Sequence, residues 1–407
     1  MILLYQMCFL IWYFNENESN IKDRDYFFTA INSEFEQISR QLEPFALKLP
    51  NFFDKDSRDW FSNSTFYKRY SSQCFDNDCD KIGFYFNDPK EHLNVSVTLV
   101  QNGVYYDDSC GYNYDEKALR RTFVSENHVS AIYEQVIIYT VPDGWSFQHF
   151  LDGIGPKLAI SRKYLDQYPD SKVLIIKGPR FDRSVQDIWN LLGVNRSDRI
   201  VHYDRRMKIG AKLLINPCRT PGIHPFLWHS ARSMYWSLIN LQKFQSNLLI
   251  YVQRTSQNAK NGGRLIQNEN LVIDYLHEYA QKSSLIYIEY DHSKHNENIE
   301  KQIELFSNAQ IIFGIHGGAL SNINFAPSKT IIIEIMPYRS DKSSLPIVCS
   351  KSDPNRFTPC GGYSYYVQAK LLNQSYWILP SVVDQQNNVN VNMTKLRLLF
   401  NSLTISH

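Results

Sequence analysis

From about residue 135 onward the chain alternates short apolar runs with longer amphipathic stretches, and the runs break on glycine, proline or asparagine. Residues 136–141 form one such run, closed by Pro142-Asp143-Gly144. Positions 146–168 then carry helical spacing, with a break or kink between Gly153 and Pro156. Runs at 172–177, 199–203 and 212–215 predict three more strands. A helix capped by Ser184 ends at Leu192-Gly193, and 225–242 predicts another. The second half repeats the logic, with strands at 247–253, 285–290, 311–315 and 331–335 and helices at 269–282 and 296–307. Apolar strands alternating with amphipathic helices predict an α/β fold, its parallel sheets covered by helices on both faces. Two such units, 131–244 and 245–407, fit the length, and ligands of such sheets sit at the carboxyl ends of the strands, here in the cleft between the units.

The N-terminal stretch reads differently. Residues 15–130 are rich in aromatics, Asp and Asn and show few periodic runs. Within them 93–100 alternates like a half-buried strand, and Val104-Tyr105-Tyr106 is placed to pair with it across Gln101-Asn102-Gly103 as a hairpin. Residues 2–14 are apolar apart from Gln6, too short for a bilayer span of ~20 residues. They fit the apolar core of a signal peptide or a short signal anchor over 1–14, the one route by which the chain would associate with a membrane. Residues 385–392 are Asn-rich but too few for a low-complexity tract.

A net charge of +2 gives no reason to expect nucleic acid or an anionic membrane surface as partner. Outside the apolar N-terminal stretch the cysteines, Cys74, Cys79, Cys110, Cys218, Cys349 and Cys360, form an even set without zinc spacing, which favours disulfides in a secretory setting. Glycosylation sequons begin at Asn17, Asn63, Asn94, Asn195, Asn373 and Asn392. The expected location is the lumen of the endoplasmic reticulum or Golgi.

Candidate chemistry centres on residues 311–335. An apolar strand runs into His316-Gly317-Gly318, then Ala319-Leu320-Ser321-Asn322, and a second buried strand follows around Glu334. A strand that breaks on glycines and enters a helix presents unpaired N–H groups, which is an anion site suited to a phosphate or diphosphate. No G-x-S-x-G elbow accompanies the His-Gly-Gly run, and neither a P-loop nor a G-x-G-x-x-G fingerprint occurs. Arg254 closes the strand at 247–253, Arg264 follows in a Gly262-Gly263 loop, and Asn268-Glu269 starts the next helix. Arginines at such strand ends suit phosphate oxygens. On the opposite wall His149 and Asp152 share a helix face, and either suits the role of general base toward an attacking hydroxyl. His224 and His229 are poorly spaced for a metal, and no Asp-x-Asp element lies between a strand end and a turn, so a metal-independent reaction without a cofactor is expected.

Three segments, in order, resemble glycosyltransferase family 61. Phe147-Gln148-His149-Phe150-Leu151-Asp152 is similar to the family's His-Phe-x-Asp region. Arg254 with Arg264-Leu265-Ile266-Gln267-Asn268-Glu269 resembles its Arg-rich loop and helix start. Gly314-Ile315-His316-Gly317-Gly318-Ala319-Leu320-Ser321-Asn322, with Glu334 beyond, resembles its His-Gly-Ala-Gly-Leu-Thr-Asn turn, with Gly-Ala in place of Ala-Gly and Ser in place of Thr. The resemblance spans roughly 135–402. It implies a GT-B architecture of two Rossmann-like domains, inversion at the anomeric carbon, a UDP-sugar donor and a glycoprotein or glycan acceptor. On that reading Asp152 or His149 takes the proton. Arg254, Arg264, Asn268, His316, Asn322 and the backbone around Gly317, Gly318 and Ala319 hold the UDP, and Glu334 reaches the ribose. The alternatives are a non-catalytic relative that binds glycans or proteins, and an α/β enzyme acting on a phosphorylated sugar.

Overall fold

The structure, a computed structural model, describes residues 35–74, 78–88, 93–106, 129–196, 198–204, 206–219, 223–241, 244–256, 263–292, 298–339 and 363–403. The apolar N-terminal stretch, Asn17, Cys110, Gly262, Cys349 and Cys360 lie outside these residues, as does the side chain of Cys218. Cys74 and Cys79 form a disulfide. No helix among the described residues is long and apolar enough to cross a membrane.

The strands are, in order, β1 (Phe35–Gln41), β2 (Phe45–Leu47), β3 (Phe84–Phe86), β4 (Asn94–Tyr106), β5 (Ala131–Tyr139), β6 (Lys172–Ile176), β7 (Ile200–Tyr203) and β8 (Lys208–Arg219). The second half supplies β9 (Leu248–Gln253), β10 (Ile286–Asp291), β11 (Ala309–Ile315), β12 (Ile331–Tyr338) and β13 (Ser375–Val382). One sheet has the order β1-β4-β8-β5-β6-β7, a second has the order β10-β9-β11-β12-β13, and β2 and β3 form a small antiparallel ribbon. In the first sheet β8, β5, β6 and β7 run parallel, while β4 and β1 add antiparallel strands at the edge. All five strands of the second sheet are parallel.

Period-two alternation sorts the second sheet's side chains into two cores. Tyr251, Phe313, Ile333 and Leu379 point to one face, against the helices Glu269–Lys282 and Met393–Asn401 through Val272, Leu276, Leu396 and Phe400. Ile250, Ile312, Ile332 and Ile378 point to the other, where they join Ile303, Phe306, Ala369 and Leu371 of the helices Ile299–Ser307 and Ser364–Leu371. That inner core is continuous with the core of the first sheet, through Tyr235, Phe325 and Leu320. Polar ties reinforce the junction: Arg232, on the helix Pro225–Leu238, donates to the carbonyls of Ala326 and Leu372.

Several expectations are corrected. Val104 to Tyr106 do not fold back in a hairpin but continue β4, because β8 offers a partner along the whole length, from Ser96 opposite Arg219 to Tyr106 opposite Lys208. Asn102 takes a positive φ of 52° within that strand, so the Asn-Gly pair makes a kink instead of a turn. The stretch read as irregular thus supplies two strands of the first sheet. Ser184 does not cap its helix: Arg183–Leu191 has Asp182 at the cap position. The helix expected to run to residue 242 ends at Leu238, where Asn240 turns left-handed. The predicted kink is a π-helical turn, Phe150–Ile154, between Phe147–His149 and the helix Gly155–Gln167, which has proline in its first turn.

Candidate active site

In the second sheet β9 and β11 are neighbours, yet the chain leaves them in opposite directions: β10 lies beyond β9, while β12 and β13 lie beyond β11. This is the doubly wound order, and its ligand crevice opens between the two strands where the order reverses, at their carboxyl ends. Arg254 directly follows β9, and His316-Gly317 directly follow β11. The arginines therefore flank the glycine turn as a consequence of topology. Arg254 Nε donates to the carbonyl of Gly263 at 3.1 Å, and Arg264 Nη1 donates to the carbonyl of His316 at 3.1 Å. Arg264 holds a left-handed backbone, φ 61°, which a non-glycine residue adopts at a cost.

Neither guanidinium forms an ion pair with a carboxylate of the described residues. Burial, and after it the neighbouring charge of Arg264, lowers the Arg254 pKa to about 10. Burial also lowers that of Arg264. Two partly buried cations that repel each other and lack a carboxylate form a site in want of an anion. The turn between them adds N–H groups. After Gly317 the chain enters a 3₁₀ helix, Gly318–Phe325, not the α-helix start expected, and no side chain caps it. A Cβ at Gly317 would stand 2.9 Å from Arg254 Nη1, so the absence of a side chain there lets the guanidinium lie against the turn. A Cβ at Gly318 would meet Gln148, with Oε1 at 3.6 Å and Cβ at 4.0 Å, ordinary contacts.

Behind the turn, His316 Nδ1 lies 2.5 Å from Glu334 Oε1, and the Tyr376 hydroxyl donates to Glu334 Oε2 at 2.5 Å. Glu334 has no exposed surface and both its oxygens are engaged, so it stands behind His316 and not at the surface where a ribose would lie. The Tyr365 hydroxyl donates to the carbonyl of Gly317 at 2.7 Å, and its ring packs on His316.

The segment Phe147–His149 and the π turn after it pack against this 3₁₀ helix, which brings the first sheet's candidates to the glycine turn. His149 Nδ1 and Asp152 Oδ1 are 3.6 Å apart, an ion-pair distance too long for a hydrogen bond. Asp152 Oδ1 is buried with no hydrogen-bond donor. Burial raises the Asp152 carboxyl above the usual range, with His149 opposing. Burial pulls the His149 imidazole down, but the nearby Asp152 carboxylate, with Asp143 further off, outweighs it and leaves the ring raised. A carboxyl raised in this way suits a proton acceptor working near neutrality. Asp182 braces the segment, accepting from Phe147 N at 3.1 Å and from Arg180 Nε at 2.6 Å.

Two other sequence candidates are engaged in scaffolding. Asn268 both donates to the carbonyl of Val391 and accepts from Val391 N, at 2.9 and 2.8 Å. The buried Asn322 donates to the carbonyl of Ala319 and accepts from Gln302 Nε2, which leaves its amide oriented by the fold. The short Asn-rich segment proves to be the brace of the Arg264 loop: Arg264 N donates to Asn387 O, Leu265 N to Asn388 Oδ1, and Gln267 N to Val389 O. Nothing in its composition announces that, just as no signal separates Tyr365 and Tyr376 from the other 24 tyrosines (26 in all). His224 caps its helix and bonds to the carbonyl of Glu43, and His229 bonds to Arg232, so both are structural. Among the described residues no group of three or more His, Cys, Asp or Glu could hold a metal ion.

Residues 147–333 match the family model described as Glycosyltransferase 61, which supports membership of the chain in that family and a transferase activity. The match begins at Phe147, ahead of His149 and Asp152, takes in both arginines and the glycine turn, and stops one residue before Glu334. No curated protein gives a significant match to the chain.

Proposed function

We propose that the protein is an inverting, metal-independent glycosyltransferase that moves a sugar, GlcNAc or xylose, from a UDP-sugar to a glycoprotein. The acceptor atom is a Ser/Thr hydroxyl or a glycan hydroxyl. The observation that carries this reading is the pair of partly buried arginines, without a carboxylate among the described residues, converging on the glycine turn at the switch point of the second sheet. The two sheets are then the two halves of a GT-B arrangement, with the donor held by the second.

In the reaction the acceptor oxygen attacks the anomeric carbon from the face opposite the diphosphate. The bond from that carbon to the β-phosphate oxygen breaks, and its electron pair leaves with UDP. Asp152 takes the acceptor's proton, with His149 beside it. Arg254, Arg264, His316 Nε2 and the N–H groups at Gly318 and Ala319 meet the charge that grows on the leaving diphosphate. The Cys74–Cys79 disulfide suits an oxidising compartment, in keeping with the lumen of the endoplasmic reticulum or Golgi.

Release of UDP from UDP-GlcNAc and UDP-xylose, with a glycopeptide acceptor, tests the assignment. Asp152→Asn and Arg254→Ala should each abolish turnover while leaving the fold intact; full turnover in both variants refutes it.

A further inference from the structure

Glu334 raises a question that donor binding leaves open. It sits in the middle of β12, buried to 0%, and forms no ion pair with a lysine or arginine of the described residues. Burying a carboxylate is unfavourable unless hydrogen bonds and opposite charge compensate it, and an apolar residue in its place is often no worse for stability. Among the described residues its compensation comes from two groups, His316 Nδ1 and the Tyr376 hydroxyl, each at 2.5 Å. His316 is itself fixed on three other sides. Its N–H donates to Ile335 O, its carbonyl accepts from Arg264, and its ring packs on Tyr365 with centroids 5.1 Å apart.

With Nδ1 committed to Glu334, Nε2 is the one ring nitrogen left for a ligand, and no described residue bonds to it. The ring shares its surroundings with the two guanidinium groups, and the charge of Glu334 reaches Arg264. The hydrogen bond to Glu334 sets which ring nitrogen points at the ligand.

We propose that Glu334 and Tyr376 are positioning residues for the diphosphate site. They hold His316 so that Nδ1–H donates to Glu334 and Nε2–H donates to a phosphate oxygen, which makes His316 a third cationic partner beside Arg254 and Arg264. The inference rests on the UDP reading given above. Among the described residues, Glu334 from β12 bonds the ring and in turn accepts from Tyr376 of β13, Tyr365 from the helix Ser364–Leu371 packs on it, and Arg264, with Arg254 beside it, comes from the loop after β9. Glu334 is the one carboxylate among them.

Calorimetric titration with UDP, on the whole protein, tests this. Glu334→Gln is nearly isosteric. It should weaken UDP about tenfold, the size expected for one charge-assisted hydrogen bond. Added to His316→Gln it should cost no further affinity, since Glu334 acts through the ring. Tyr376→Phe should weaken UDP by less, and it serves if the glutamine variant does not fold. Wild-type affinity in both variants overturns the inference, as does full additivity of Glu334→Gln with His316→Gln. A wild type that binds no UDP fails at the first titration and removes the donor reading itself.

Discussion

Gly317→Ala isolates the contact on which the diphosphate site depends. The backbone at Gly317 is extended, with φ 175°, so alanine meets no conformational obstacle there. What the new methyl group does meet is the Arg254 guanidinium, with Nη1 at 2.9 Å and Cζ at 3.9 Å. The first distance lies inside van der Waals contact, so the arginine head must move, strained against its 3.1 Å bond to the carbonyl of Gly263. Because the displaced atoms end a flexible side chain, the cost to the fold should stay at or below about 1 kcal/mol, the low end of overpacking. The cost to binding should be larger. A hydrogen bond to a charged group contributes about 1.5–3 kcal/mol, so a displaced Arg254 should weaken UDP by roughly ten- to a hundredfold. Isothermal titration with UDP, alongside a melting curve, measures both. Gly318→Ala should retain more of the affinity, because its Cβ meets Gln148 at no less than 3.6 Å. In an Arg254→Ala background, Gly317→Ala should add nothing. Wild-type affinity in Gly317→Ala, or a full additional loss in the double variant, would refute the reasoning.

Other expectations concern separate parts of the molecule. Asp152→Asn should lower kcat by about 10²–10⁴ while UDP affinity holds, the range for loss of a general base. Because burial raises the Asp152 pKa, wild-type kcat should fall on acidification sooner than an ordinary carboxylate would dictate, and a pH–rate profile tests this. Asn268→Ala should cost about 1–3 kcal/mol in denaturant unfolding, since it leaves backbone groups of Val391 unsatisfied; unchanged stability would return Asn268 to the ligand. Burial lowers the Lys157 pKa to about 7, against 10.5 when free. Between those values the unfolded chain binds the extra proton, so this group makes stability rise with pH, by at most about 1.4 kcal/mol per unit. Lys157→Met should flatten that rise in unfolding measured across the window.

The second half of the chain was largely legible because its sheet is buried on both faces. Such strands read as unbroken apolar runs, and the helix expected over about 269–282 is Glu269–Lys282. Arg254 and the His316-Gly317 turn were found together for a related reason: strand ends next to glycines can be read locally, and parallel topology then brings them to one place. The glycine shift relative to the family turn also has a local explanation. Gly317, present in both arrangements, is the position where Arg254 requires a bare backbone, whereas the surroundings of Gly318 accept a methyl. What stayed hidden depends on contacts far apart in sequence. The Tyr376–Glu334 and Tyr365–Gly317 bonds link residues 42 and 48 positions apart, and the loop at 384–391 braces Arg264 from more than a hundred positions away. β4 misled for the same reason, since its partner β8 lies far along the chain and converts an Asn-Gly turn signal into a kink.

The central claim is most directly tested by thermal denaturation with UDP, UDP-GlcNAc, UDP-xylose, GDP-mannose and free sugar phosphates, with EDTA present throughout. A ligand that binds the native state raises its stability by mass action, about 2.7 kcal/mol at a hundredfold excess over Kd. A donor site built on Arg254, Arg264 and the glycine turn should give a higher Tm with UDP and with one of the UDP-sugars despite the chelator. A Tm that responds to no nucleotide would contradict it.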